Sequence, residues 1–239
     1  MAVSGEALLQ LRDVTQEYGG LRPLRIKTLD VRAGQRLAIL GLDQPAAEVL
    51  VNLMIGSTTP RTGEVRAFGR ATTEIPDSDA WLVALRQYGL LGVRTVLIEE
   101  LTVEQNLAIP LTLDVDPLSD SLRVQMRALG AEVGLAADLL GRRPAELGAL
   151  DLQRVRLGRA LALAPRVLLA EHPTATLERA DADQFARDMS RIVSSRAAIA
   201  AVYVTADRAF AQQAADEIVM LKPATGDLVS AVGWRRWFG

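Results

Sequence analysis

The chain has 239 residues, 49% of them hydrophobic and 4% aromatic, with 27 basic and 29 acidic side chains for a formal net charge of −2. That length suits one large α/β domain or a core with a modest subdomain. The near-neutral balance and scarce aromatics give no support for nucleic-acid binding, and no apolar stretch reaches the roughly 18 residues a membrane span needs.

The first residues, Met1 to Asp13, lack a basic segment followed by an apolar run, so no signal peptide is read there and the cytoplasm is the expected compartment. The absence of cysteine excludes disulfides and thiolate metal sites. Leu8 to Val14 and Arg25 to Val31 alternate as strands. After the turn Ala33-Gly34-Gln35, the apolar run Arg36 to Gly41 is a buried strand, and Ala46 to Ile55 has helical spacing. Gly56 and Pro60 end that helix. Residues 76–145 read as mostly helical, broken at Asp116-Pro117 and Arg143-Pro144. Leu152 to Leu163 is a helix, Arg166 to Ala170 a buried strand and Ala180 to Ser194 an amphipathic helix. Ile199 to Thr205 and Ile218 to Leu221 are further apolar strands. The alternation predicts a largely parallel sheet covered on both faces, with the helical middle inserted into it.

Several segments, in this order and spacing, carry a family resemblance. They are Tyr18, Ala33-Gly34-Gln35 before the strand RLAILG, Pro60 to Val65, Leu101 to Asn106, Gln153-Arg154-Val155 with Arg159-Ala160-Leu161, Leu168-Leu169-Ala170, and Pro173-Thr174. From Leu8 to Val229 the chain resembles the nucleotide-binding subunit of ATP-binding-cassette (ABC) transporters. The stretch LTVEQNLAIPL is most similar to the lipoprotein-release and macrolide-export branch. The resemblance implies an α/β fold of the phosphate-loop NTPase type. It would have a mostly parallel sheet, an antiparallel β edge and an inserted helical subdomain. It divides a single domain, 1–239, into an α/β core (1–90 and 146–229), a helical subdomain (91–145) and a C-terminal tail (230–239).

The same resemblance assigns the positions of the nucleotide site. The phosphate loop should read G-x-x-x-x-G-K-S/T. Here the segment is Gly41-Leu42-Asp43-Gln44-Pro45-Ala46-Ala47-Glu48, with only the first glycine kept. Phosphate binding needs successive backbone N–H groups, a lysine and a metal-binding hydroxyl. Pro45 has no N–H, Ala46 makes a left-handed backbone costly, Ala47 carries no charge, and Glu48 puts a carboxylate where the hydroxyl belongs. Asp43 is a suitable N-cap, Pro45 suits a first helical turn, and Glu48 would lie near the positive end of the helix dipole. These groups are expected to satisfy the helix start in place of phosphate.

At the end of Leu168-Leu169-Ala170, Glu171 stands for the metal-binding aspartate. His172, the single histidine, stands for the general base; the plain alternative is a solvent-facing or hydrogen-bonded side chain at a loop start. Glu48, Glu171 and His172 are set aside as a metal set because no spacing supports one. The signature motif L-S-G-G-Q is replaced by Leu147-Gly148-Ala149-Leu150-Asp151, where Asp151 would repel a partner's phosphate and Leu150 would block backbone approach. Val93 replaces the loop glutamine, Ala206 the switch histidine, and Glu178 the usual aspartate of Ala175-Thr176-Leu177-Glu178. Tyr18 matches the adenine-stacking aromatic, or simply covers a sheet edge.

The resemblance therefore implies a catalytically inactive ABC-type subunit with no catalytic residue, no metal and no expected cofactor, ATP and magnesium binding at most weakly. Its partners would be a permease-like membrane subunit and another ABC ATPase subunit in a homo- or heterodimer, at the inner face of the cell membrane. The alternative is an ATP-binding subunit with residual or noncanonical ATPase activity. The tail Trp234-Arg235-Arg236-Trp237-Phe238 reads either as an interfacial or partner anchor or as a segment folded onto its own domain.

Overall fold

The computed structural model describes residues 7–92 and 94–231. Val93 and the tail from Trp234 to Phe238 lie outside the described residues. Two sheets form the frame. β1 (Ala7–Gln16), β2 (Leu24–Arg32), β4 (Thr62–Ala67) and β5 (Arg70–Ala71) make an antiparallel sheet in the order β2-β1-β4-β5. β3 (Arg36–Leu40), β6 (Tyr88–Leu91), β7 (Val167–Glu171), β8 (Ala200–Val204), β9 (Glu217–Lys222) and β10 (Asp227–Ser230) make the second, in the order β10-β9-β3-β8-β7-β6. Its pairs are parallel except β10 with β9.

Apart from Arg36 and Glu171 at their ends, the central strands are apolar because both of their faces are covered. Leu37, Ile39, Val167, Leu169, Ala200 and Val202 enter one core with α1 (Gln44–Met54) and the antiparallel sheet. The intervening Ala38, Leu40, Leu168, Ala170, Ala201 and Tyr203 enter a second core. That core is closed by α5 (Ala149–Leu161), α6 (Arg179–Ser195) and α7 (Arg208–Ala214). α3 (Val103–Ala108) and α4 (Asp120–Glu132) pack onto the same cluster through Val103, Leu107, Met126 and Leu129. The strand alternation thus divides the interior between two layers.

Residues 76–145 depart from the helical reading. They hold α2 (Ser78–Leu85), the strand β6, α3, α4 and irregular chain. β6 is only four residues long and contains Gly89, where a Cβ would sit 2.4 Å from the Ala160 carbonyl of α5. The close helix requires glycine, and glycine hides the strand from a propensity reading. α1 also begins earlier than the spacing predicts, at Gln44 rather than Ala46, and α5 at Ala149 rather than Leu152. β7 extends one residue beyond its apolar run, so Glu171 is its last residue.

Candidate functional site

The carboxyl ends of β3, β8, β7 and β6 lie side by side, with Ile39 opposite Val204, Ala170 opposite Tyr203, and Leu91 opposite Ala170. That edge is where an open parallel sheet presents its ligand crevice. Gly41, Ala206, Glu171 with His172, and Gly92 all issue from it, with Arg94 nearby. Gly41 has φ +90, a left-handed turn natural to glycine, and a Cβ there would come within 3.2 Å of the Leu221 carbonyl.

Beyond Gly41 the chain goes directly into helix. Asp43 is the N-cap of α1 and its carboxylate accepts from the Ala46 N–H at 3.0 Å. The Ala47 N–H already donates to the Asp43 carbonyl at 2.9 Å. Pro45 occupies the first turn. Gln44 to Glu48, the stretch in register with a phosphate loop, is therefore helix. Ala46 takes helical rather than left-handed geometry and lies buried, as does Ala47.

Glu48 is not used at the helix start. Its position along α1 turns its carboxylate sideways to Arg94, whose Nη1 donates to Glu48 Oε1 at 3.1 Å and to Asn52 Oδ1 at 3.2 Å. Arg94 Nη2 donates to Glu171 Oε1 at 2.6 Å, and Gln44 Nε2 to Glu171 Oε2 at 3.3 Å. Glu48 and Glu171 do converge, on a guanidinium. Sequence reading missed Arg94, since no local pattern links residues this far apart in the chain, and so gave Gln44 and Asn52 no part in the cluster. His172 stays outside the cluster, and no trio of His, Cys, Asp or Glu fit to hold a metal occurs among the described residues.

His172 has φ +42 and donates its backbone N–H to the Val204 carbonyl at 2.7 Å. Its Nε2 is shielded from solvent without a hydrogen-bond partner, so that atom is neither solvent-facing nor hydrogen-bonded. It borders a cavity of about 220 Å³ lined by Gly92, Ala149, Gln153, Arg156 and Thr176 among others.

The segment at the signature position opens α5. Gly148 is its N-cap and offers no side-chain acceptor; Leu147 and Leu150 pack partly buried on the core. Ala149 is exposed. The Asp151 carboxylate does not stand free to repel an anion, because Arg154 Nη1 donates to it at 3.0 Å. Tyr18 is half-buried on the core below the antiparallel sheet, with its ring against Gly20, where a Cβ would come within 2.5 Å of it. Ala206 is exposed beyond β8.

Asp207 beside it caps α7, accepting from the Ala209 and Phe210 N–H groups at 3.0 and 3.1 Å and from the Thr174 hydroxyl at 3.0 Å. Burial alone would raise its carboxyl. The hydrogen bonds from Phe210 and Thr174, with Arg179 and the Ala209 N–H, outweigh that and hold it below the ordinary value. A depressed folded-state value stabilises the fold above the ordinary range and loses that contribution as pH falls through it. Asp207→Ala is expected to cost about 1 kcal/mol at neutral pH. In urea denaturation at stepped pH, its deficit should shrink as pH drops below 3.8, the ordinary aspartate value.

The parallel sheet, its crevice and the helix leaving β3 define a phosphate-loop NTPase-like domain. The family described as ABC transporter matches residues 24–175, and the chain belongs to that family as an ATP-binding domain. It is 31% identical to the lipoprotein-releasing system ATP-binding protein LolD of Geobacter metallireducens, over 80% of this chain and 85% of that one. It is 32% identical to the macrolide export ATP-binding/permease protein MacB 1/2 of Paracoccus denitrificans, over 80% of this chain. The match spans only 29% of that relative's length, and 61% of a sulfate/thiosulfate import protein CysA from Thermosynechococcus vestitus. The dimeric structure of MJ0796, a bacterial ABC transporter cassette, superposes with a TM-score of 0.75 at 22% identity, covering 92% of this chain and 96% of that one. The fold is thus that of an ABC cassette, and the exporter and lipoprotein-release resemblance of LTVEQNLAIPL agrees with two of these relatives.

The residues present do not fit the magnesium–triphosphate group the family implies. No cationic side chain stands at position 47, the Ala46 N–H is held by Asp43, Pro45 has no N–H, and a guanidinium lies between the two carboxylates.

Proposed function

We propose that this chain is a catalytically inactive ABC-type subunit that serves as a structural or regulatory partner in a membrane transporter-type complex. One observation carries the reading: the start of α1 is closed from within, by the Asp43 carboxylate on the Ala46 N–H and by Pro45, which has no N–H. An N-terminus capped by its own carboxylate offers an incoming phosphate repulsion in place of free donors. No helix among the described residues is long and apolar enough to cross a membrane, which suits a peripheral subunit held by others at the inner membrane face.

The partner would be a permease-like subunit, with a second ABC-type subunit as dimer mate and the region 91–145 contributing to docking. A groove of about 420 Å³ lined by Leu82, Leu85, Leu90, Pro110 and Arg159 borders that region, which gives it Thr95 and Pro110, and would extend the docking surface onto α2 and α5. Leu82 is 53% exposed on its rim. Leu82→Asp is expected to cut co-purification with the membrane subunit severalfold while leaving the melting temperature unchanged; undiminished capture would remove the groove from the interface.

Phosphate release from Mg-ATP by the purified protein and by its membrane complex tests the inactive reading. The expected rate attributable to this subunit is that of buffer. The unpartnered Nε2 of His172 favours the second reading, a residual ATPase. Turnover that disappears in Glu171→Gln or His172→Ala would establish that reading and overturn the first.

A further inference from the structure

His172 is the single histidine of the chain, and its Nε2 is enclosed without a hydrogen-bond partner. Its ring lines a cavity of about 220 Å³ between the end of β7, Gly92 and the flank of α5 that carries Gln153 and Arg156. At about 30 Å³ for each water, that volume holds a phosphate-sized ion with several waters. Ala149 and Thr176 line it as well and are exposed, so the cavity opens to solvent beside them. The free polar groups that border it are donors. Arg156 is fixed at two points, with Nε donating to the Thr95 carbonyl and Nη1 to Gln153 Oε1, each at 3.1 Å. Gln153 is held in turn through its Nε2, which donates to the Pro173 carbonyl at 2.8 Å. Arg156 Nη2 has no acceptor, and its guanidinium no carboxylate, among the described residues. Burial pulls the guanidinium pKa down with nothing to offset it.

The neighbouring carboxylates are already engaged, Asp151 by Arg154 at 3.0 Å and Glu171 by Arg94 at 2.6 Å. The cavity therefore keeps a positive charge that is oriented in advance and not neutralised, which lowers the ordering cost of taking up an anion. We propose that this cavity binds a small oxyanion, anchored by Arg156 Nη2, with the His172 ring turning to bring Nε2 to it. The Thr176 hydroxyl at the mouth supplies a further donor. No residue of α1 lines the cavity. The anion site is thus separate from the closed helix start and stands whether or not the chain hydrolyses ATP.

Titration of the full chain with inorganic phosphate, at fixed pH and without nucleotide, provides the test. Isotope-labelled histidine reports it directly, because the single imidazole gives one set of magnetic-resonance signals. Those signals are expected to move saturably, with a Kd of about 1 mM or tighter, while chloride at matched ionic strength leaves them in place. Acetate is the second arm: saturation by phosphate alone marks a phosphate site, by acetate alone a carboxylate site, and by both a site for oxyanions at large. Arg156→Gln should weaken binding at least about tenfold, since a charge-assisted hydrogen bond has gone. Should that protein unfold, Ala149→Glu brings a like charge to the exposed mouth, at a helix start that suits a carboxylate, and should weaken binding severalfold. No saturable shift with either anion overturns the proposal. So does binding of undiminished strength in a folded Arg156→Gln or Ala149→Glu protein.

Discussion

Ala47→Lys is expected to destabilise the domain by about 3 kcal/mol and to confer no affinity for ATP. In register with a phosphate loop, a lysine at this position would reach outward to phosphate. Here residue 47 lies within α1, its N–H bonded to the Asp43 carbonyl, and its side chain is 0% exposed in the core shared with the antiparallel sheet. Three extra carbons and a nitrogen overpack that core, which costs about 1–3 kcal/mol. An ammonium left inside without a partner costs several more unless it reaches water. Urea denaturation measures the loss. A variant as stable as wild type that also binds Mg-ATP would mean that the start of α1 opens into a loop, contrary to this account.

Arg154→Ala is expected to lower stability by about 3 kcal/mol. Arg154 Nε and Nη2 donate to Asp188 Oδ2 on α6 at 3.1 and 2.8 Å, and Nη1 to Asp151, so one guanidinium ties the start of α5 to α6. The side chains are 15% and 9% exposed. Burial pulls the guanidinium pKa down, but the hydrogen bonds of Asp188 and Asp151 outweigh it and hold the value above the ordinary one, so the guanidinium stays charged. Truncating the arginine leaves the Asp188 carboxylate enclosed with Gln184 Nε2, at 3.1 Å, as its remaining side-chain donor. The double variant Arg154→Met with Asp188→Leu, which removes both charges, should recover most of the loss. If the single variant costs under about 1 kcal/mol in denaturant, the pair is behaving as a surface bridge.

Much of this architecture was legible because its signals are local. The runs RLAIL and VLLA could only be strands covered on both faces, and the alternation of strand and helix implied the parallel sheet. The Asp43 cap followed from a residue and its near neighbours. What escaped depends on distant chain. β6 is short and carries Gly89 because α5 passes close behind it. Arg94 lies 46 residues from Glu48 and 77 from Glu171, so only the fold makes them neighbours. The sequence therefore showed two unpaired carboxylates in the crevice and overstated its negative charge. Glu48 was expected at the helix dipole for the same reason: its i, i+4 neighbour Asn52 was visible, but the cation that both hold was not.

The central claim is that the crevice has exchanged an external nucleotide for its own groups. Isothermal titration of the purified chain with ATP, with and without magnesium, tests it most directly. The account predicts no saturable heat, corresponding to a Kd weaker than about 1 mM in either condition. Saturable binding with a Kd tighter than about 1 µM would contradict it, and would require Asp43 and Arg94 to leave the positions they hold.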